Sequence, residues 1–332
     1  MGGGAQSKLE HDFEQLRLEI PEPLIGLENV SARQRANLCY ANSILQALYF
    51  CQPFRRQVLE AKCSPDEAVL AQLQALYAQI ANSKKRTGVL STKKLMAMVS
   101  NQTFEAFMHQ DSQEFLTWLL NALNDQRKSK ARTWVADLFE GRFSSETKCM
   151  GCETVTKREE TFWDLSLELQ QNFSLCACLR TFSKVETLTG ADKFLCDCCG
   201  CKQEAQKRVL IKQLPRLFVC HFKRFNFLEQ RLVHSKLNHR VAFPTQLRLP
   251  NSTDDCPDAK FELVAIVVHI GAGIQYGHYV AVVKCQEHWI KFDDENVERV
   301  DERLIQTIYG TPREQATGVA CAYLLFYKAL SC

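Results

Sequence analysis

Apolar residues along this chain recur in two different rhythms, and the change between them divides the sequence. Between residues 42 and 125 they fall three and four positions apart: Ile44, Leu45, Leu48 and Tyr49 form one stripe, and Val69, Leu70, Leu73, Leu76, Tyr77 and Ile80 form another. That spacing gathers side chains on one face of an α-helix, so a helical lobe is expected here. From residue 134 to about 212 the runs are short and alternating, as at residues 164–169, with little apolar content from which to build a core. From residue 214 onward, segments 217–222, 262–270, 278–284, 289–292 and 322–327 are rich in valine, isoleucine and aromatics, with polar or glycine-bearing turns between them. This is the pattern of an antiparallel sheet, and the expected class is α+β. No internal repeat or long low-complexity linker is evident.

With 332 residues, 46% hydrophobic and 24% charged, the chain can bury a large core and exceeds the usual single-core length, so lobes are expected and general disorder is excluded. The longest apolar stretch, residues 263–270, has eight residues, against roughly 20 needed to cross a bilayer. It reads as a buried strand, and no membrane role is expected. The N-terminal MGGGAQSKLEH is small and polar without an apolar segment, and Gln6 stands where a myristoylated chain would carry Ser or Thr. A soluble intracellular protein follows, cytoplasmic with a nuclear pool left open. A net charge of +3 from 41 basic and 38 acidic residues offers no broad field to a nucleic-acid backbone. Sixteen cysteines in an intracellular chain point to metal ligation or catalysis rather than to disulfides.

Two of those thiol groups carry the chemistry. Cys39 lies just before a helical pattern that Asn42 or Ser43 could cap, and a thiolate at a helix N-terminus is stabilised by the dipole and the free N–H groups. A buried structural cysteine is the ordinary alternative. Far downstream, Gly271, Gly273 and Gly277 surround a turn that delivers His278 to the start of a strand, and the next strand ends in Asp293-Asp294. A hairpin would bring His278 beside Asp293, which could fix the imidazole tautomer and stabilise its charged form. A lone histidine beside a glycine turn is usually a surface residue, but the Cys, His, Asp order is that of papain-like enzymes. Separately, Cys149-x-x-Cys152 and Cys196-x-x-Cys199 are two thiol pairs of the kind that close a tetrahedral structural zinc (Zn2+) site. Cys198 and Cys201 form a second C-x-x-C within the same cluster, so the downstream pair is ambiguous. Structural zinc in small modules contributes on the order of 10 kcal/mol, enough to decide whether such a segment folds.

Cys39-Tyr40-Ala41-Asn42-Ser43, Gln110-Asp111-Ser112-Gln113-Glu114-Phe115, His221-Phe222-Lys223-Arg224-Phe225, Gly277-His278-Tyr279 and Phe292-Asp293-Asp294 resemble, in order, the successive boxes of the ubiquitin-specific proteases. The resemblance runs from Gly26 to Tyr327. It is closest to the short branch of ubiquitin carboxyl-terminal hydrolases twelve and forty-six, which residues 46–51 and 202–208 resemble. It implies a papain-like right hand: a helical thumb at about 26–133, zinc-bearing fingers at about 134–212 and a β-sheet palm at about 213–328, after an N-terminal extension of residues 1–25. It also implies a thiol-dependent deubiquitinase, with Cys39 as nucleophile, His278 as base and Asp293 and Asp294 as the acidic members. The zinc ligands it favours are Cys149, Cys152, Cys196 and Cys199. Ubiquitin and ubiquitinated proteins are the implied partners, with a WD-repeat β-propeller that grips the fingers as activator.

Ubiquitin's C-terminal tail carries arginines before its two glycines, so carboxylates are expected along its cleft. The resemblance offers Asp111 and Glu114 in the Gln110 box, while Gly277 and Tyr279 look like the walls of a channel admitting only Gly-Gly. A solvated helix face is the alternative for the two acids. One departure stands out. The family pattern Asn-x-Gly-Asn-Thr-Cys becomes Asn29-Val30, then residues 31–35 (SARQR), then Ala36-Asn37-Leu38-Cys39. Asn29, whose counterpart supplies an oxyanion-hole amide, now lies ten residues before the nucleophile, and Gln34 occupies the fifth. Two readings of the loop are open: Asn29 displaced, or Gln34 donating in its place. A lost donor typically costs about 10²–10³ in rate, so a ubiquitin-binding protein with weak turnover is the second functional expectation. A zinc module for nucleic acid is the third, and 43 residues (153 to 195) between the cysteine pairs exceed the usual ribbon spacing.

Overall fold

The computed structural model of the chain describes residues 20, 22–29, 37–64, 66–100, 110–125, 132–228, 233–249, 259–273, 277–312 and 318–330. Most of the expected N-terminal extension, residues 1–19, and the 31–35 insertion with Gln34 lie outside them.

Helices dominate up to residue 139, and the first of them is the hub. Helix Cys39–Phe50 is buried at all twelve positions, not along the single stripe its spacing suggests. It lies between helices Gln52–Glu60, Ala68–Ala81 and Ser112–Asp125 on one side and the large sheet on the other. A helix enclosed on every side needs no polar face, which is why Ala41, Ala47, Leu48 and Tyr49 are each at most 1% exposed. Truncating Leu48 to Ala would cost about 2–5 kcal/mol. The start of this helix is therefore held firmly. A short parallel pair, Leu24–Leu27 with Thr87–Leu90, closes the lobe.

The large sheet runs in the order Asn296–Val300, His288–Asp293, Gly277–Cys285, Lys260–Gly271, Cys321–Ala329, Leu217–Phe222 and Leu165–Leu167, with Gln246–Arg248 on the free end of Lys260–Gly271. Every pairing is antiparallel except the last, where Leu165–Leu167 runs parallel to Leu217–Phe222. Along Gly277–Cys285, Tyr279, Ala281 and Val283 face the helical core while Val280 and Val282 face a second core behind the sheet. Burial on both faces explains the unbroken apolar run at 263–270. Residues 164–169 were expected to lack a core; instead Leu165, Leu167 and Leu169, with Leu175 and Leu179 of helix Leu175–Phe182, pack into that second core.

Val155–Phe162, Gly141–Cys149, Ala205–Gln213 and Glu186–Leu188 form a separate four-stranded sheet. Val155–Phe162 is exposed at seven of its eight positions. The hairpin Phe194–Cys196 with Cys201–Gln203 belongs to the same projection, and here cohesion has to come from something other than packing.

Candidate active site

The nucleophile candidate opens the buried helix. Cys39 is its first residue and is 4% exposed. Neither Asn42 nor Ser43 caps the helix: Leu38 occupies the cap position without a side-chain bond, Ser43 Oγ donates to the Tyr40 carbonyl at 3.0 Å, and Asn42 is used elsewhere. The peptide N–H groups of a first turn still favour negative charge on a sulfur placed there.

The strand order supplies the imidazole. Ala281 faces Phe292 across the ladder between Gly277–Cys285 and His288–Asp293, which puts His278 and Asp293 on one face as diagonal neighbours. His278 Nε2 lies 2.6 Å from Asp293 Oδ1. Its other nitrogen is thereby left to face Cys39, which also raises the imidazole. Asp293 first, and then Cys39, raise the imidazolium to about 10, so it stays protonated through neutral pH. Asp293 is held below the usual carboxylate range, chiefly by His278, and Lys291 Nζ stands 3.4 Å from its second oxygen.

Asp294 has a different task. It sits at the hairpin turn with φ +51°, a left-handed conformation that Asp tolerates better than most side chains. Burial raises its carboxyl to about 6, and Asn42 Nδ2 donates to it at 2.8 Å. The helix that Cys39 opens and the acid turn are thus tied directly. Asn42 was missed as a site residue because its spacing suggested a cap.

A second tie runs through the N-terminal strand. Leu27 N donates to the Asp294 carbonyl at 3.0 Å. At Gly26 any Cβ would lie 2.6–2.8 Å from the carbonyl oxygens of Glu295 and Asp294, so glycine permits the contact. Asn29 N donates to Glu295 Oε1 at 2.7 Å, and Asn29 Oδ1 accepts from Leu38 N at 2.7 Å. Ten residues of sequence separation therefore do not carry Asn29 away from Cys39. Its side chain returns to the residue before Cys39, leaving its Nδ2 to donate elsewhere. Glu295, which holds it there, had no signal in the sequence.

On the tail-binding side the expected residues divide. Asp111, 8% exposed, caps helix Ser112–Asp125 through Gln113 N at 2.7 Å, and its other oxygen accepts from Tyr323 at 2.6 Å and Tyr279 at 3.4 Å. Burial raises its carboxyl despite these bonds. Tyr279 is 3% exposed and lies beneath the surface with its hydroxyl on Asp111. Glu114 is exposed, and partial burial beside Asp111 raises its carboxyl. Gln110 is half-buried at the same helix entry. At Gly277 a Cβ would strike the His269 ring, so no larger residue fits before His278.

Lys236, also unforeseen, is 7% exposed and donates to the carbonyls of His269 and Gly271 at 3.0 Å and of Val319 at 2.6 Å. It anchors the strand end from which the chain leads to His278. A buried lysine carries no sequence signal, because lysines are ordinarily solvated.

At the far end of the projection, the sulfurs of Cys149, Cys152, Cys196 and Cys199 all lie within 4.8 Å of one another. The Cys149–Cys199 and Cys152–Cys196 separations are 3.9 and 3.6 Å. Disulfides require about 2.05 Å. A tetrahedron with metal–sulfur bonds of about 2.3 Å has edges of about 3.8 Å, so the four thiols fit a metal of that size. The Thr154 hydroxyl leads in lowering Cys152 to about 6, whereas Cys196 is raised, the lowering backbone bond of Cys199 being outweighed chiefly by burial, and Cys199 is raised chiefly by Cys152. Four thiolates this close would repel one another unless a cation lay between them. The alternative pair, Cys198 and Cys201, is exposed and outside the cluster.

A thiol, an imidazole and a carboxylate converging across a helix and a hairpin are the parts of a cysteine hydrolase. The family model for ubiquitin carboxyl-terminal hydrolase matches residues 25–327. Ubiquitin carboxyl-terminal hydrolase 4 of Arabidopsis thaliana is 41% identical over 369 aligned residues, covering 99% of both chains. Ubiquitin carboxyl-terminal hydrolase 12 of Salmo salar is 39% identical over 361, covering 99% of this chain and 95% of its own. The chain belongs to the ubiquitin carboxyl-terminal hydrolase family, in its ubiquitin-specific protease class, and is a cysteine-type deubiquitinase with a papain-like fold.

Proposed function

We propose that Cys39, His278 and Asp293 perform the hydrolysis, with Asp294 fixing the turn between them. The reading rests above all on the 2.6 Å contact between His278 and Asp293 beside Cys39. The Cys39 thiolate attacks the carbonyl of ubiquitin's terminal glycine, and the His278 imidazolium gives its proton to the departing lysine amine. Water, deprotonated by His278, then cleaves the thioester. Asn29 donates its side-chain amide to the oxyanion, a role supported by its bond to Leu38. No observation favours the reading of a weakly active ubiquitin-binding protein.

Glu114 is the carboxylate available to an arginine of the ubiquitin tail. Asp111 holds the helix entry and the two tyrosines from within, and Gln110, Gly277 and Tyr279 shape the cleft around it. The four-cysteine cluster holds zinc, a reading supported by its sulfur separations. The metal would supply the cohesion that the exposed projection lacks. A WD-repeat β-propeller gripping that projection remains the proposed activator. Hydrolysis of a ubiquitin C-terminal fluorogenic substrate, with and without such a partner, tests the reading. Turnover that the partner increases and Cys39→Ala abolishes is expected; near-wild-type turnover by Cys39→Ala, with ubiquitin still bound, would sink the nucleophile assignment.

A further inference from the structure

The exposed strand Val155–Phe162 ends beside the helix that opens the tail cleft, and the next two residues are both bonded to that helix. Trp163 Nε1 donates to Asn121 Oδ1 at 2.9 Å, and Asp164 Oδ1 accepts from Gln113 Nε2 at 3.1 Å. Gln113, Thr117 and Asn121 recur every four residues and share one face of helix Ser112–Asp125, and Gln113 Nε2 also reaches Thr117 Oγ1 at 3.2 Å. Burial raises the Asp164 carboxyl, Gln113 and Ser166 lower it, and Asp111 raises it further. No basic side chain among the described residues pairs with it. A carboxyl placed without a cation depends on its hydrogen bonds.

The second oxygen of Asp164 accepts from Ser166 Oγ at 3.3 Å, and Ser166 Oγ lies 2.8 Å from Nδ1 of His221, its register partner in the parallel strand pair. The hydroxyl has one proton and gives it to Asp164, so His221 donates from Nδ1. Burial pushes this imidazole down to about 3 and keeps it neutral. Its ring stands edge-on to Tyr323, with centroids 4.8 Å apart, and the Tyr323 hydroxyl donates to Asp111, the cap of the same helix. The circuit is closed: it meets the helix entry at Asp111 on one side and at Gln113 on the other, with Glu114 next in the chain.

We propose that Asp164, supported by Ser166 and His221, is a positioning residue for the reaction: through Gln113 it fixes the helix entry that aims Glu114 at an arginine of the ubiquitin tail. The proposal rests on the reading of Glu114 as the tail carboxylate. None of these three residues touches the reacting atoms, so their loss weakens substrate binding and leaves the chemistry in place.

Steady-state kinetics of the full-length, zinc-loaded protein on a ubiquitin C-terminal fluorogenic substrate test this. Gln113→Met and Asp164→Leu should each raise KM about tenfold with kcat within about twofold, and the retained kcat certifies the fold. The double variant should be no worse than the worse single one, because both break the same bond. Asp164→Asn, which keeps an acceptor oxygen for Gln113, should recover most of the affinity lost in Asp164→Leu. Unchanged KM in Gln113→Met, additive losses in the double variant, or Asp164→Asn as poor as Asp164→Leu would overturn the proposal. Glu114→Gln separates it from the reading beneath it. A raised KM there with Gln113→Met unchanged would overturn this proposal alone, whereas an unchanged KM in Glu114→Gln would remove the tail carboxylate and the proposal with it.

Discussion

The two thiol sites of this chain are built by opposite means. Cys39 owes its place to packing: a helix buried on every side, a sheet behind it, and residues 26–29, 42 and 291–295, which are tied to one another around it from distant parts of the sequence. The four-cysteine cluster owes its place to two tight turns carrying C-x-x-C pairs, among strands that bury little. Packing fixes one site before any ligand arrives. The other, on the proposed reading, is completed by a metal, so the two should fail differently when disturbed.

The largest effect is expected at the cluster. Cys149→Ser or Cys196→Ser removes a ligand from a site of a kind that contributes on the order of 10 kcal/mol, so zinc should be lost and the projection should loosen. Metal analysis with hydrogen exchange over residues 141–213 reads this out, and full protection without zinc would refute the role given to the metal. The helical core should keep its protection in the same variants.

At the active site the next effect is electrostatic. Imidazolium raised to about 10 in the folded protein, against an ordinary 6.5, gives stabilisation that is complete below 6.5 and lost as pH rises through 10. Turnover should accordingly hold on the alkaline side until pH nears 10, while its acid limb reflects Asp294, raised to about 6. Asp293→Asn should lower kcat by about 10²–10⁴ and move the alkaline limb downward, because the largest cause of the raised value is gone. An alkaline limb that stays put would separate Asp293 from His278.

A smaller loss is expected from Asn29→Ala, about 10²–10³ in kcat with KM nearly unchanged, since an oxyanion donor acts on charge that develops in the transition state. Deleting residues 31–35 should change kcat least, because Asn29 already reaches Leu38 across the longer loop. Steady-state kinetics of the two variants side by side distinguish these outcomes. A large gain from the deletion would mean that the loop had displaced the donor after all.

The contrast also explains what could be read in advance. Strand 217–222 was foreseen to the residue, because a sheet buried on both faces leaves continuous apolar runs. The thiol pairs were legible because metal-site cysteines are written in local spacing; the choice between two overlapping frames came from the family resemblance, and the fold gathers the chosen four. Asn42, Glu295 and Lys236 were not legible. Each acts on atoms far off in sequence, and a polar residue does not announce that it is buried against a carbonyl or a carboxylate. Leu165–Leu167 was read as coreless for the same reason, since its partner strand begins some fifty residues later.

The most direct test of the central claim is the reaction of ubiquitin bearing a C-terminal electrophile with the folded, zinc-loaded protein, with the adduct located by peptide mass mapping. The account predicts one adduct per chain, on Cys39, absent from Cys39→Ala and much slower to form in Asp293→Asn. An adduct on another cysteine, or equal labelling of Cys39→Ala, would contradict it.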